Sequence, residues 1–356
     1  MEPLILDSSF NATHVIDTFH SFIWAERYRK EGDFELVVPF YPELLDLIRL
    51  DSYVGIAGSD RLMIVENIEL GEDAETGRIM TVSGRSAESI LRRRVIWGQT
   101  VVSGKFQAGI QTLLNQNAID PTDTRRKLPL TFKASQAPGI TELDIDAQFY
   151  GEELYEAIFA QCEEKDLGFR VLPAQAGGFT FELYQGTDRS YEQSENPYIV
   201  FSPAFDNIVS SNYLRSNKNL KTVAMVAGSG EGAARTIAEA AVEDGGSGLS
   251  RREMYTDASS LSKTTGDADA PISDADYVKQ LKEKGMEELA DNGTVTSFEG
   301  EVDAVHQFVY GRDFFIGDIV QLVNEHGIES RSRVTELVRS QDQNGSTVVP
   351  TFTGLD

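Results

Sequence analysis

Short apolar runs with a period of two, each cut off by a glycine- and acid-rich turn, fill the first hundred residues of this chain and return beyond Thr294. Such a run makes a strand with one buried face, and several in succession make an antiparallel meander that protects its edges as a small barrel or sandwich. The turn Glu31–Asp33 opens Phe34–Val38, which Pro39 ends. A short helical stretch around Pro42–Leu50 follows. Tyr53–Ala57, a turn at Gly58–Asp60 and Arg61–Leu70 come next, with Leu62, Ile64 and Ile68 alternating. After the acidic turn Gly71–Gly77 the chain returns through Arg78–Ser83. Trp24 and Phe34 are expected to pack this first unit, with Ile64 and Val65 on its central strand.

From about Thr100 the period changes. Phe106–Asn117 reads as a helix, Pro121–Pro129 as a polar, basic loop, and Gly151–Lys165 as an amphipathic helix. Gly168–Leu172 and Phe179–Tyr184 read as a hairpin across Ala174–Gly178. Strand character resumes over Asn207–Ala227. The Ala-rich stretch Ala233–Val242 reads as helical, and 245–272 as a polar loop. Ser273–Asp276 resembles a capping box opening a helix through Tyr277, Val278, Leu281 and Leu289, which Asn292-Gly293 terminates.

The chain also echoes itself. Asp51–Ile56, a turn and Ile64–Ile68 resemble Asp318–Leu322, a turn and Val334–Val338, with Arg61 and Arg333 near the second strand of each copy. The expected fold is therefore mainly β with α+β insertions. Two related small β-barrel domains, 1–98 and 204–232 with 294–356, would enclose an α+β domain, 99–203, and a helical and loop insertion, 233–293. Gly317 and Asp318 would shape the turn into the second barrel. A chain of 356 residues has room for several such modules.

Charge and cysteine usage exclude some functions. The formal net charge of −25, from 57 acidic and 32 basic side chains, argues against gripping nucleic acid but not against standing near it. The single cysteine, Cys162, rules out an intramolecular disulfide and a cysteine-rich zinc site, and its spacing from Leu154 and Ile158 makes it a buried thiol. No apolar run approaches the roughly 20 residues of a membrane span. The segment Met1–Asp7 lacks the features of a secretory leader, so synthesis in a host cytoplasm is expected.

Motifs for chemistry are weak. Gly228, Gly230 and Ala233 fit G-x-G-x-x-A formally, yet no second apolar run ending in an acid stands about 20 residues on. No phosphate-loop lysine follows these glycines. His14, His20, His306 and His326 are not grouped with carboxylates, and Gly-x-Ser-x-Gly is absent. Asp144, Asp146, Asp267 and Asp269 read as turn or edge acids. Arg92–Arg94 and Arg125–Lys127 are the dense basic clusters of an acidic chain, suited to a salt-bridged contact with an acidic neighbour or to solvated turns. No residue is assigned a catalytic, cofactor-binding or metal-binding role.

Several stretches, taken in order, resemble the phage tail hub family typified by the Gp37-like tail proteins of siphoviruses. They are Ser21–Leu36 (SFIWAERYRKEGDFEL), Arg61–Glu66 (RLMIVE) running on to Val82–Trp97 (VSGRSAESILRRRVIW), Val226–Arg235 (VAGSGEGAAR), Tyr310–Val320 (YGRDFFIGDIV) and Ser330–Glu336 (SRSRVTE). The resemblance implies a non-enzymatic hub at the distal tail tip of a virion or phage-like particle. Three chains would form a pseudo-sixfold ring, two barrels each, that joins the tail tube to the tip and lets DNA pass without specific binding. It implies as partners two further copies, the distal tail protein, the tape measure protein and tail-tip or fibre proteins, and no cofactor. Some relatives carry a C-terminal hydrolase; this chain's end at Asp356 leads us to expect none. The alternatives are a cell-wall-degrading enzyme at the tail tip and, behind it, a dinucleotide-binding protein.

Overall fold

The computed structural model describes residues 1–73, 77–174, 177–265, 270–302 and 307–355. The first β region contains β1 (Pro3–Leu6), β2 (Ala12–Val15), β3 (Ser21–Arg27), β4 (Asp33–Pro39), β5 (Tyr53–Ile56), β6 (Met63–Asp73) and β7 (Gly77–Ser86), with the one-turn helix α1 (Leu44–Leu47) before β5. Period-two patterning accounts for them. Along β4, Phe34, Leu36 and Val38 are buried while Glu35 is exposed. Trp24 is fully buried, its ring 6.2 Å from that of Phe22 and 6.5 Å from that of Phe34, and its indole N–H donates to Glu26 at 2.9 Å. Val65 lies in this same core, whereas Ile64, on the opposite face of β6, packs into the core of the inserted module.

That module is built from β8 (Thr100–Lys105), α2 (Phe106–Leu114), β9 (Leu130–Lys133), α3 (Pro138–Thr141), β10 (Asp144–Phe149), α4 (Leu154–Glu164), β11 (Gly168–Pro173) and β12 (Phe179–Tyr184). β8 pairs with β10, and the β11–β12 hairpin takes β9 alongside β12 in parallel. Cys162 is fully buried on α4, and burial pushes its thiol up. The short β13 (Val200–Phe201) and the longer β14 (Ile208–Ser216) lead out of the module.

The next stretch departs from the sequence reading. β15 (Val223–Ala227), expected within the second β unit, instead forms a separate sheet with β16 (Ile237–Ala241) and β17 (Glu253–Asp257). The Ala-rich segment is thus a strand, not a helix, and part of the expected polar loop is a strand as well. The minimal ribbon β18 (Thr264–Thr265) and β19 (Ala270–Pro271) precedes the helix α5 (Asp274–Ala290). Packing explains the alanines. Ala238 and Ala240 point to the face that α5 covers, and a Cβ added at Gly285 of α5 would stand 2.5 Å from that of Ala240. Small side chains on both sides let helix and sheet approach closely, a tertiary demand that overrides local propensity. The N-cap half of the capping reading holds, since the Ser273 hydroxyl accepts from the Asp276 N–H at 3.1 Å; the Asp276 carboxylate accepts from that hydroxyl and not from the Ser273 backbone N–H that a full box would use.

The chain ends with β20 (Val295–Val302), β21 (Ile319–Val323), β22 (Glu329–Asp342) and β23 (Gly345–Gly354). These join the first β region in one 13-stranded sheet, ordered β14-β20-β23-β22-β3-β4-β7-β6-β5-β1-β2, with β21 beside β22 and β13 beside β21. No closed barrel is found among the described residues; the two expected units share a sheet while keeping separate cores. No helix among the described residues is long and apolar enough to cross a membrane.

Candidate assembly edges

The continuous sheet hinges on one joint, the antiparallel pairing of β22 with β3. Glu336 stands opposite Arg27 and Asp342 opposite Ser21, so residues more than three hundred positions apart form one ladder. Arg27 ties the joint down, donating to Glu336 at 2.6 Å and to Asp33 at 2.6 Å. Burial alone would lower the guanidinium's pKa; the two carboxylates outweigh it and raise it. The Tyr28 N–H donates to the Thr335 carbonyl at 2.9 Å beside the seam.

On either side of this joint the sheet repeats itself. The order β3-β4-β7-β6 on one side matches β14-β20-β23-β22 on the other, antiparallel throughout, and β5 and β21 flank the starts of β6 and β22. Each long strand pair carries a bulge at the same distance from its last described residue pair. The register shifts at Glu66, ahead of the Asp73–Gly77 end, and at Thr335, ahead of the Asp342–Gly345 end. Gly84 sits opposite the first bulge, where an added Cβ would lie 1.8 Å from the Ile64 carbonyl oxygen. The echo in the sequence is therefore a structural repeat, but its second strand is shifted by one residue from the sequence reading: Glu66 corresponds to Thr335, not to Glu336, so Arg61 and Arg333 do not hold equivalent places.

The repeat also exposes an asymmetry. The far half of β22 is paired with β3, but its counterpart, the β6 edge from Asn67 to Asp73, has no strand beside it among the described residues. Neither does the outer edge of β14, the counterpart of β3. Leu70 on the first edge is 50% exposed and Leu214 on the second 49%, apolar surface of the kind such edges usually avoid.

Beneath the seam lies a group of residues whose partnership the sequence does not announce. The rings of Tyr28 and Tyr184 meet edge to face at 5.1 Å, and the Tyr184 hydroxyl donates to the Tyr28 carbonyl at 3.0 Å. Arg333, 2% exposed, lies over Tyr28, donates to the Gly317 carbonyl at 2.6 Å and pairs with Asp166. Arg61, 6% exposed, pairs with the fully buried Glu88 and donates to the Tyr184 hydroxyl at 3.3 Å. Both arginines of the echo thus anchor the sheet to the inserted module. Gly317, at φ +94°, and Asp318 form the expected turn; the Asp318 carboxylate accepts from the N–H groups of Thr187 and Phe315 and from Arg189.

The remaining candidates are not brought together. Gly228–Ala233 joins β15 to the antiparallel β16 through a single turn of 3-10 helix, so the glycines face no helix N-terminus that could receive a pyrophosphate. His14, His20 and His326 are exposed and apart, and His306 lies outside the described residues, as do Asp267 and Asp269. Asp144 pairs with Lys105 and Asp146 with Lys279. Among the described residues no group of three or more His, Cys, Asp or Glu side chains is arranged to hold a metal ion. The basic clusters converge: Arg94 donates to the Arg126 carbonyl at 2.6 Å.

Comparison with known proteins agrees with this architecture. The 43 kDa tail protein of prophage MuSo2 from Shewanella oneidensis is 13% identical and superposes with a TM-score of 0.59, over 99% of this chain and 98% of that one. The tail protein of Neisseria meningitidis MC58 gives 15% identity and 0.59, over 100% and 97%. Prophage tail protein gp18 of Listeria monocytogenes EGD-e gives 12% and 0.54, over 99% and 94%. These likenesses establish a shared fold across whole chains. No curated protein sequence matches. The sequence profile of the Siphovirus ReqiPepy6 Gp37-like protein family matches residues 2–352, nearly the full length, and the chain belongs to that family.

Proposed function

We propose that this protein is a structural hub at the distal end of a phage tail, acting as a ring of three chains rather than as an enzyme. The observation that carries the reading is the internal repeat with one joint made and one left open. A heterologous contact that reuses the made joint, β6 of one chain against β14 of the next, generates a closed ring when the rotation permits. Three chains would present six similar sheet units around one axis, suited to stacking on a sixfold tube.

The repeat also supplies a register. Ile23 lies opposite Ser340 at the made joint, Gly71 holds the place of Ser340, and Asn212 holds that of Ile23. In the ring Gly71 therefore faces Asn212, and Glu69 faces Leu214. The sheet face turned away from the two cores carries a largely polar row, Thr347, Ser340, Ile23, Glu35, Ser83 and Asn67, across consecutive strands. Facing the channel, such a row with the acidic excess lets a polyanion slide without being held. Partners would be the distal tail, tape measure and tip proteins of the particle.

The test is light scattering with negative-stain averages of the same peak. A threefold ring with a central hole is expected. A monomer that stays monomeric when concentrated and when mixed with its tail-tube neighbour would overturn the ring. Release of fragments from purified cell walls would instead favour a cell-wall-degrading enzyme.

A further inference from the structure

In a chain this acidic most arginines are engaged by carboxylates, which makes an unengaged pair informative. Of the clusters Arg92–Arg94 and Arg125–Lys127, Arg92 turns inward to Glu31, Glu153 and Glu156. Arg93 pairs with Asp51, Arg125 with Asp123, and Lys127 approaches Asp120. Arg94 and Arg126 differ. Their polar contacts are to the carbonyls of Arg126, Arg93 and Val95 and to the Asn117 side chain; neither forms a salt bridge with a carboxylate among the described residues, although the charge of Arg126 is felt by Asp123. Partial burial, and then the charges of Arg126 and Arg93, push the Arg94 guanidinium down from its ordinary value.

Around this pair the chain exposes apolar surface. Trp97 is 67% exposed, Tyr150 58% and Val95 40%. The Gly151 N–H donates to the Ile96 carbonyl at 2.8 Å, which sets Tyr150 close to the Val95–Trp97 segment. Arg126 lies over the Trp97 ring at 4.7 Å, covering one face of the indole and leaving the other to solvent. Exposed aromatics beside arginines have the composition of an interface centre.

We propose that this surface docks an acidic segment of a partner protein, two of whose carboxylates engage Arg94 and Arg126 while an apolar side chain covers the free face of Trp97. Paired carboxylates match planar guanidinium forks, and an apolar neighbour matches the ring. Asp51, Asp123 and Asp120 pair with Arg93, Arg125 and Lys127, so acids interrupt the basic clusters on either side of Arg94 and Arg126. A nucleic-acid strand needs a continuous track of cations and would run its phosphates into those acids. A short acidic segment needs only the two guanidinium groups that no carboxylate pairs with.

Trp97 is also the reporter. The other tryptophan, Trp24, is fully buried with its N–H engaged, so a ligand at the surface perturbs Trp97. The full chain is titrated with a short synthetic glutamate–leucine peptide, and separately with a thymidine oligonucleotide of similar length. A saturable change in Trp97 emission with the peptide is expected, weakening as salt rises, and weakening about ten-fold or more in R94A/R126A. Urea midpoints of each variant separate loss of binding from loss of fold. The charge-reversed R94E/R126E variant should take a lysine–leucine peptide instead. No saturable response to the acidic peptide, a response undiminished in R94A/R126A, or tighter binding of the oligonucleotide would each overturn the proposal.

Discussion

Arg61 and Glu88 meet where almost no water reaches, 6% and 0% exposed, and Glu88 also accepts the Val171 N–H at 3.0 Å. Removing one member of such a pair strands a charge in a low dielectric. Arg61→Ala is expected to cost about 3–5 kcal/mol in urea unfolding, whereas replacing both residues by methionine should recover most of the loss. Trp24→Ala should cost a similar amount, about 3–5 kcal/mol, by opening a cavity between Phe22 and Phe34, and its melting temperature reads it out. These residues were not equally legible. Trp24 and Phe34 stand at inward positions of alternating runs, so periodicity alone places them in the core. Nothing local tells that Arg61 will find Glu88, because their approach is set by how β6 meets the segment after β7. The bulge at Glu66 is equally silent in sequence.

At the scale of elements, α5 docks on the inserted module through carboxylates. Glu287, packed with Gln280 and facing Lys284, Glu288 and Glu152, is pushed up to about 7 by burial, despite the relief that Lys284 gives. Glu163 on α4 is pushed up to about 7 by burial and then by Asp291 at the end of α5, against the pull of Arg29 and Lys30. Burial also raises Glu152 and Glu283; Glu283 faces Glu164, Lys165, Lys279 and Asp146. A group whose folded pKa exceeds its unfolded value contributes fully below the latter, and the contribution is lost as pH rises through the former. The docking of α5 should therefore weaken between about pH 4.5 and 7. Amide exchange along α5, corrected for intrinsic pH dependence, should be faster at pH 8 than at pH 5.5, and Glu287→Gln should reduce the difference. Equal protection at both values would refute it. Gly285→Leu should expose α5 to protease at either pH by wedging it off Ala240 and Val226. Here the sequence misled where it was most suggestive: an Ala-rich run reads as helix, and only the demand for close packing against Gly285 makes it a strand. The cap at Ser273 was readable because capping is local.

For the whole molecule, the open edges of β6 and β14 are the features to test. With Cys162 fully buried, Glu69→Cys and Leu214→Cys in one chain should form disulfides between chains, giving covalent trimers on oxidation. Leu70→Pro, which removes a ladder donor at the edge, should leave a folded monomer in light scattering. Cross-linked dimers or long ladders without a trimer would count against ring closure. The echo of Asp51–Ile68 in Asp318–Val338 made the repeat visible from residues alone, but a sequence carries no sign that two such units share a sheet, since the β22–β3 ladder is long-range. That ladder has a further consequence. Because one chain contains a finished joint, the angle between its two halves can be measured in a single copy, and in the proposed ring, where the same joint is reused between chains, it would fix how many copies complete a circuit. An angle of about one-sixth of a turn means three copies; a change in seam residues such as Arg27 or Glu336 that tilted it would yield another count, or an open spiral that never meets its own start. The number of subunits would then be a property written inside each one, before any two of them have met.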